Sequence, residues 1–353
     1  MKKSIILIFV LSIMASAQSG GPYMIKRSVI SSGGGKVSGG NFTLSGTFGQ
    51  PVAGNTTGSN FALSSGFWKG GAGSTPTITR RPFDYDGDGR SDFSVRRPST
   101  GLWYILRGTA GYFSMAWGVS TDNVTPADYD GDGKTDVAVF RPSTGTWFWF
   151  NSGSQTFQQD NWGAPGDLPV PADHDGDHRA DLVVFRPSTG TWYRKLSADL
   201  SLSVVGFGVT GDKPVVGDFD RDGKSDIAVF RPSNGNWYIL KTGFGFFVQT
   251  WGQTGDIQAP ADFDGDGATD LAVFRPSTGQ WYRIMSTNGF NVASWGQSGD
   301  IPVPADFDGD GSEDIAVFRP SNATWYIIGS STGILVNAFG TSEDLPTQAS
   351  FIY

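Results

Sequence analysis

Six stretches of this 353-residue sequence each place four aspartates at positions 1, 3, 5 and 9 of a nine-residue loop. They are Asp84, Asp86, Asp88 and Asp92; Asp128, Asp130, Asp132 and Asp136; Asp173, Asp175, Asp177 and Asp181; Asp218, Asp220, Asp222 and Asp226; Asp262, Asp264, Asp266 and Asp270; and Asp306, Asp308, Asp310 and Asp314. Carboxylates this dense suit a hard divalent cation. Ca2+ takes roughly six to eight oxygen ligands at ~2.3–2.6 Å, and four aspartates with a backbone carbonyl near position 7 supply most of them. Without a cation, the loop crowds like charges at ~1–4 kcal/mol per close pair. Glycine at position 6 (Gly89, Gly133, Gly223, Gly267 and Gly311) permits a tight turn. The expectation is up to six structural Ca2+ ions, one per loop. The competing reading is a set of solvated polar turns. The loop is not an EF-hand, because position 12 of the first copy is Val95 rather than Glu and strand-like segments flank it. Two copies depart from the pattern. His178 replaces the position-6 glycine of the third, and Arg221 at position 4 of the fourth sets a cation beside the ligands. These two loops are expected to bind more weakly.

The loops begin at steps of 44, 45, 45, 44 and 44 residues, so the elements that position them must repeat as well. In the fifth copy Asp270-Leu-Ala-Val-Phe-Arg-Pro276 reads as a short apolar strand ended by proline. Gln280 to Met285 is a second strand, and Phe290 to Gly296, after the turn signal Asn288-Gly289, is a third. Ser298 to Pro304 leads into the next copy as a fourth. Four short strands per period is the size of one propeller blade. The second strand is bulky on both faces and must be covered on both, as in blades packed in a closed ring. Tryptophan recurs at 103, 147, 192, 237, 281 and 325, and a second aromatic at Trp117, Trp162, Phe207, Trp251, Trp295 and Phe339. Both sets are expected in the core, each residue burying ~150–250 Å². At the C-terminus Glu343-Asp344-Leu-Pro aligns with Gly299-Asp300-Ile-Pro, so one more opening strand should close the ring. The fold expectation is all-β: a six-bladed β-propeller of four-stranded blades over residues 81–353, preceded by a small separate β unit. Seven blades stay open if that unit joins the ring.

Arginine precedes proline at 97, 141, 186, 231, 275 and 319, and aspartate recurs at 122, 167, 212, 256, 300 and 344. Equal numbers of each suggest partners. One reading is a buried or half-buried strut between strands or blades. The other is a ring of inter-blade sugar pockets, each with an arginine donor and an aromatic floor.

Residues 1–17 read as a secretory signal peptide: Lys2 and Lys3, then an apolar run from Ile5 to Met14 too short to span a bilayer, then Ala15-Ser-Ala17. Cleavage after Ala17 would leave an exported protein, secreted or held at the cell surface. A membrane anchor is the alternative. Residues 18–71 alternate apolar positions bounded by Gly and Asn, as in short strands of a hairpin or meander, and residues 72–80 read as a linker. All acidic residues but Glu313 and Glu343 are aspartate, so the formal net charge of −8 sits in the loops. Six divalent ions would turn it positive, and pI is no guide to partners here. There is no cysteine, which excludes disulfides and thiolate chemistry, and the only histidines, His174 and His178, both lie in the third loop.

Asp-Phe-Asp-Gly-Asp-Gly-x-x-Asp followed by Ile-Ala-Val-Phe-Arg-Pro resembles the FG-GAP / VCBS-type repeat of integrin α-subunit-like β-propellers. Phe-Arg-Pro stands where that family has Gly-Ala-Pro, and its Phe-Gly element appears as Trp295-Gly296 and Phe339-Gly340. The resemblance covers about residues 77–353. It implies a calcium-loaded propeller of the kind found in secreted adhesion, glycan-binding or enzyme-appended proteins. The expected function is therefore non-catalytic: binding of a glycan or an extracellular protein, not nucleic acid, by a monomeric propeller with no membrane span. A carbohydrate-active enzyme on a propeller scaffold and a structural envelope or matrix component are the alternatives. The departures from the repeat (His174, His178, Arg221 and Arg96) do not compose a catalytic mechanism.

Overall fold

The computed structural model describes residues 81–350 and, before them, the backbone of four strands. The expected signal peptide (1–17) and linker (72–80) lie outside the described residues. The chain divides into two units, Met1–Thr77 and Ile78–Tyr353. In the first, Gly33–Gly39 pairs with Phe42–Phe48, and Gly54–Gly58 pairs with Phe61–Ser65, forming two antiparallel hairpins.

The second unit is a six-bladed β-propeller of four-stranded antiparallel sheets. Runs such as Ile315–Arg319 and Leu271–Arg275 form strands because β-branched and aromatic side chains suit a pleated surface. Both are buried at four consecutive positions, as strands covered on both faces must be. The segment expected as a fourth strand of each repeat instead opens the next blade. It is short: Ile301–Pro302 pairs with Phe318 and Val317 of the sixth blade. The C-terminal strand does the same for the first. Leu345–Pro346 pairs with Arg96 and Val95, so the last strand of the chain closes the wheel. Among the described residues six sheets account for every strand of this unit, which leaves no seventh blade.

The two aromatic series form a relay between blades. The indole N–H of Trp281, fully buried, donates to the Trp295 carbonyl at 3.0 Å. The Trp295 indole donates in turn to the Tyr326 carbonyl of the next blade at 3.0 Å. Trp117, Trp162 and Trp251 reach the next blade likewise. Phe207 and Phe339 have no N–H to give and fill their places by packing alone.

The recurrent arginines and aspartates are partners. Arg97, Arg141, Arg186, Arg231, Arg275 and Arg319 each fork onto Asp344, Asp122, Asp167, Asp212, Asp256 and Asp300 respectively, with Nε–Oδ1 at 2.6–2.9 Å. Every one of these aspartate side chains is fully buried. Each guanidinium also lies over a ring of the next strand (Tyr104, Phe148, Tyr193, Tyr238, Tyr282 or Tyr326) at 4.1–4.6 Å. The aspartate ends the crossover from one blade, and the arginine sits on the second strand of the blade it enters. The pair therefore fastens each crossover to its new blade. The first blade also carries Arg96 where the others have the buried Phe140, Phe185, Phe230, Phe274 and Phe318. Its guanidinium is buried and donates to the carbonyls of Val119 and Asp122 in the neighbouring crossover.

Candidate metal centre

Each acidic loop joins the short opening strand of a blade to its second strand. Backbone pairing between the residue before position 1 and position 9 pinches it shut, as in Ala261 with Asp270 and Ala305 with Asp314. Inside this hairpin the chain turns twice through positive φ. Position 4 has φ of 79° at Gly87 and 78° at Gly309, and position 6 has 87° at Gly89 and 105° at Gly311. The turns aim two N–H groups at the position-1 carboxylate. Gly87 and Gly89 donate to the two oxygens of Asp84 at 2.6 and 2.9 Å, and Gly309 and Gly311 to those of Asp306 at 2.6 and 3.0 Å.

Positions 3 and 9 are held by more distant parts of the blade. Asp314 accepts from the N–H of Phe307 at 2.8 Å and of Ser330 at 2.7 Å. Asp308 accepts from the N–H groups of Ser331 and Thr332, both at 3.0 Å. Equivalent bonds hold Asp92 and Asp86 in the first loop. In consequence the carboxylates of positions 1, 3 and 9 converge, with one oxygen of each within 4.8 Å of the others. These trios are Asp84, Asp86 and Asp92; Asp128, Asp130 and Asp136; Asp173, Asp175 and Asp181; Asp218, Asp220 and Asp226; and Asp262, Asp264 and Asp270.

Position 5 is a charged neighbour of position 1 and has further partners of its own. Asp132, Asp177, Asp222, Asp266 and Asp310 each accept from the N–H two residues on, at 2.8–2.9 Å. Each also accepts from a hydroxyl in the turn after the third strand: Ser152, Ser197, Thr242, Ser286 or Ser330. The first blade has Gly108 at that place, within reach of Asp88. The carboxylates of positions 1, 3 and 9 lie together, and position 5, beside position 1, also accepts a hydroxyl that spacing alone did not reveal. The recurrence of Ser or Thr at 152, 197, 242, 286 and 330 was the available signal for this partner.

Burial makes ionisation of the trios costly. Burial pushes the position-9 carboxyls up to about 7 at Asp92, Asp136 and Asp270, and to about 6 at Asp181, Asp226 and Asp314. Burial also raises position 1 at Asp84, Asp173, Asp262 and Asp306. At Asp86 and Asp308 burial opposes ionisation too, but hydrogen bonds from the facing turn outweigh it and hold both low. One further feature tests the fit. The Oδ1 atoms of Asp220, Asp264 and Asp308 are buried and have no hydrogen-bond partner. A buried, unpartnered carboxylate oxygen is costly, and it is the atom a bound cation would satisfy. The residues present therefore fit a divalent ion held by positions 1, 3 and 9.

The two departures from the repeat sit at the turning positions. His178 has φ of 73° and Arg221 has 67°. The Arg221 side chain does not lie on its own loop's carboxylates, as its sequence position suggested. Its left-handed backbone sends it to the next loop, 3.4 Å from Asp266. We expect Arg221→Gly and His178→Gly each to raise stability by about 1 kcal/mol by relieving the left-handed backbone. Thermal unfolding of the single variants measures this, and an unchanged or lower Tm would count against it. His174 replaces a core aromatic and is fully enclosed. Its Nδ1 donates to the Ser225 carbonyl at 2.6 Å, and burial followed by nearby Arg194 pushes it down to about 3, so the ring is neutral.

A six-bladed wheel with one acidic loop pinched into every blade defines the class. The FG-GAP-like repeat model matches residues 84–139, 128–184, 173–229, 218–273 and 262–317, well over half the chain, and the chain belongs to that family. No curated protein matches the sequence. Similar solved structures include a lectin from Agrocybe aegerita described as recognising non-reducing terminal N-acetylglucosamine (18% identity, TM-score 0.47, 70% of this chain and 76% of that one). BBS1N in complex with ARL6DN is another (11% identity, TM-score 0.48, 75% and 82%). A catalytically inactive virginiamycin B lyase from Staphylococcus aureus is a third (7% identity, TM-score 0.48, 74% and 85%). Nothing about the function of this chain follows from likenesses at this level.

Proposed function

We propose that this chain is an exported, calcium-stabilised propeller acting as a non-catalytic binding module, with a protein as its partner. The apolar run from Ile5 to Met14 supports export, and no helix among the described residues is long and apolar enough to cross a membrane. The acidic trios and their unpartnered oxygens support calcium, which would cross-link the two ends of each loop. Positions 1, 3 and 9 would hold it, with position 5 orienting the turn.

The observation that carries a protein partner is the outer edge of the blades. The last strands Gly245–Thr250, Gly289–Ser294 and Gly333–Ala338 contain no charged residue. On them Phe246, Phe290 and Ile334 are 63%, 63% and 69% exposed. Uncharged, apolar free edges are what soluble proteins usually avoid unless another chain covers them. The sugar-pocket reading fares worse, because the arginines it needs are already forked onto aspartates and lie over the rings it would use as floors. Arg275→Ala should therefore cost about 2–3 kcal/mol by stranding the buried Asp256 carboxylate, without selectively removing a glycan. A variant that keeps its Tm but loses glycan binding would restore the pocket. The direct test combines Phe246→Ser, Phe290→Ser and Ile334→Ser. Calcium-dependent binding of the purified chain to extracellular proteins of its source should be lost with Tm unchanged. Undiminished binding would refute the rim as the partner surface.

A further inference from the structure

The six loops are joined to one another. The N–H at position 8 of each donates to the carbonyl of the position-1 aspartate in the loop before it: Thr135 to Asp84 (2.7 Å), Ala180 to Asp128 (2.7 Å), Ser225 to Asp173 (2.6 Å), Thr269 to Asp218 (2.6 Å) and Glu313 to Asp262 (2.8 Å). Ser91 completes the circuit by donating to Asp306 at 2.6 Å. Two junctions are doubled. The Thr269 hydroxyl accepts from the Asp218 N–H at 3.0 Å, and the Glu313 carboxylate accepts from the Asp262 N–H at 2.6 Å. Side chains at position 7 also cross the junctions: Lys134 packs over Gly87, Arg179 over Gly131, Lys224 over Gly176 and Arg90 over Gly309.

Each of these bonds joins a ligand-bearing residue of one loop to the chain neighbour of a ligand-bearing residue in the next. Position 1 carries a carboxylate of one trio. Position 8 immediately precedes position 9, which carries a carboxylate of the next. Fixing the position-1 aspartate of one loop therefore fixes the carbonyl from which the neighbour's position-9 aspartate is hung. The circuit has no end, so every loop has a neighbour on each side. We infer that the six loops load ions as one coupled ring rather than as independent sites. This rests on the calcium reading above. The Ser91–Asp306 junction also joins the first repeat to the last, so loading reinforces the wheel at the same seam as the C-terminal strand.

Coupling between adjacent sites is ordinarily of the size that changes affinity about fivefold or more. The test is native mass spectrometry of the mature chain titrated with Ca2+, at a pH where the chelated protein keeps its far-ultraviolet circular dichroism. At half saturation the coupled ring predicts several times more empty and fully loaded chains than six independent sites give, so the spread of ion counts is broader than binomial. A spread no broader than that of independent sites would overturn the coupling. No bound ion at any concentration would overturn the calcium reading beneath it, a distinguishable failure. A second measurement guards against a trivial cause. Asp130→Asn removes one ligand from the second loop; coupling predicts that the first and third loops, which lose a loaded neighbour, bind up to about fivefold more weakly, so the midpoint of the remaining sites rises. Loss of one ion with the other midpoints unchanged would contradict it. The pair Thr269→Ala and Glu313→Ala leaves every ligand and every position-8 N–H in place, removes only the second bond at two junctions, and should narrow the spread of ion counts. An unaltered spread in that variant would show that these two side-chain bonds do not contribute to the coupling.

Discussion

Excess chelator should lower the Tm of this protein by on the order of 20 °C. Calcium modules outside cells bind at about 10⁻⁴–10⁻³ M, and near millimolar calcium a site at the tight end adds ~1.4 kcal/mol. Counted as independent, six such sites add roughly 8 kcal/mol, comparable to the whole stability of an ordinary domain, and coupling adds to that sum. For a unit of this size each kcal/mol moves Tm by roughly 2–4 °C. The effect falls on the trios: in the first, Asp84, Asp86 and Asp92 accept from backbone N–H and hydroxyl donors and form no ion pair among the described residues, whereas Arg81 lies 3.2 Å from Asp306 in the sixth. Differential scanning calorimetry with and without chelator, at fixed ionic strength, reads the difference. Superimposable curves would remove ions from the account.

The second large effect is a reversal of pH dependence. In the ion-free chain the position-9 carboxyls lie near 6 to 7, because burial raises them. In the unfolded chain they lie near ~3.9. A group whose folded value is raised stabilises the fold while protonated and loses that contribution as pH rises through the folded value. The ion-free protein should therefore become less stable between pH 5 and pH 8. One pKa unit is ~1.4 kcal/mol, and a carboxyl at about 6 loses about one unit's worth between pH 5 and pH 8, so six such positions give a fall on the order of 10 °C or more. Ion binding requires the ionised form, so in calcium the slope over the same span should be upward. Melting curves at pH 5, 6, 7 and 8 in both conditions decide the matter. A chelated protein whose Tm rises with pH would contradict the assignment of these carboxyls.

Much of this arrangement was legible in the sequence because it repeats. Carboxylate spacing located the loops, and the alternation of Asp270 to Met285 located the strands. The alignment of Glu343 to Pro346 with Gly299 to Pro302 located the closing strand, which pairs with Val95 and Arg96. What stayed hidden depends on which parts become neighbours. Spacing placed Asp266 on the ion; only the fold shows its hydroxyl partner Ser286. Arg221 read as a cation among its own ligands, yet positive φ carries it to the next loop. Whether Arg275 was strut or pocket turned on the position of Asp256, 19 residues upstream but fully buried beside it. The circuit of position-8 N–H groups lies between repeats, where a one-repeat pattern gives no information. Arg96 stood out as a departure, but its burial against the Val119 to Asp122 crossover follows only from the register of the first blade.

The most direct test of the central claim is a crystal structure of the mature chain grown in calcium, with anomalous differences collected at long wavelength. The account predicts one peak per acidic loop, bounded by the position-1, position-3 and position-9 carboxylates, with the Oδ1 atoms of Asp220, Asp264 and Asp308 turned onto it. Loops that show no peak and keep those carboxylates bonded only to backbone and hydroxyl donors would contradict it.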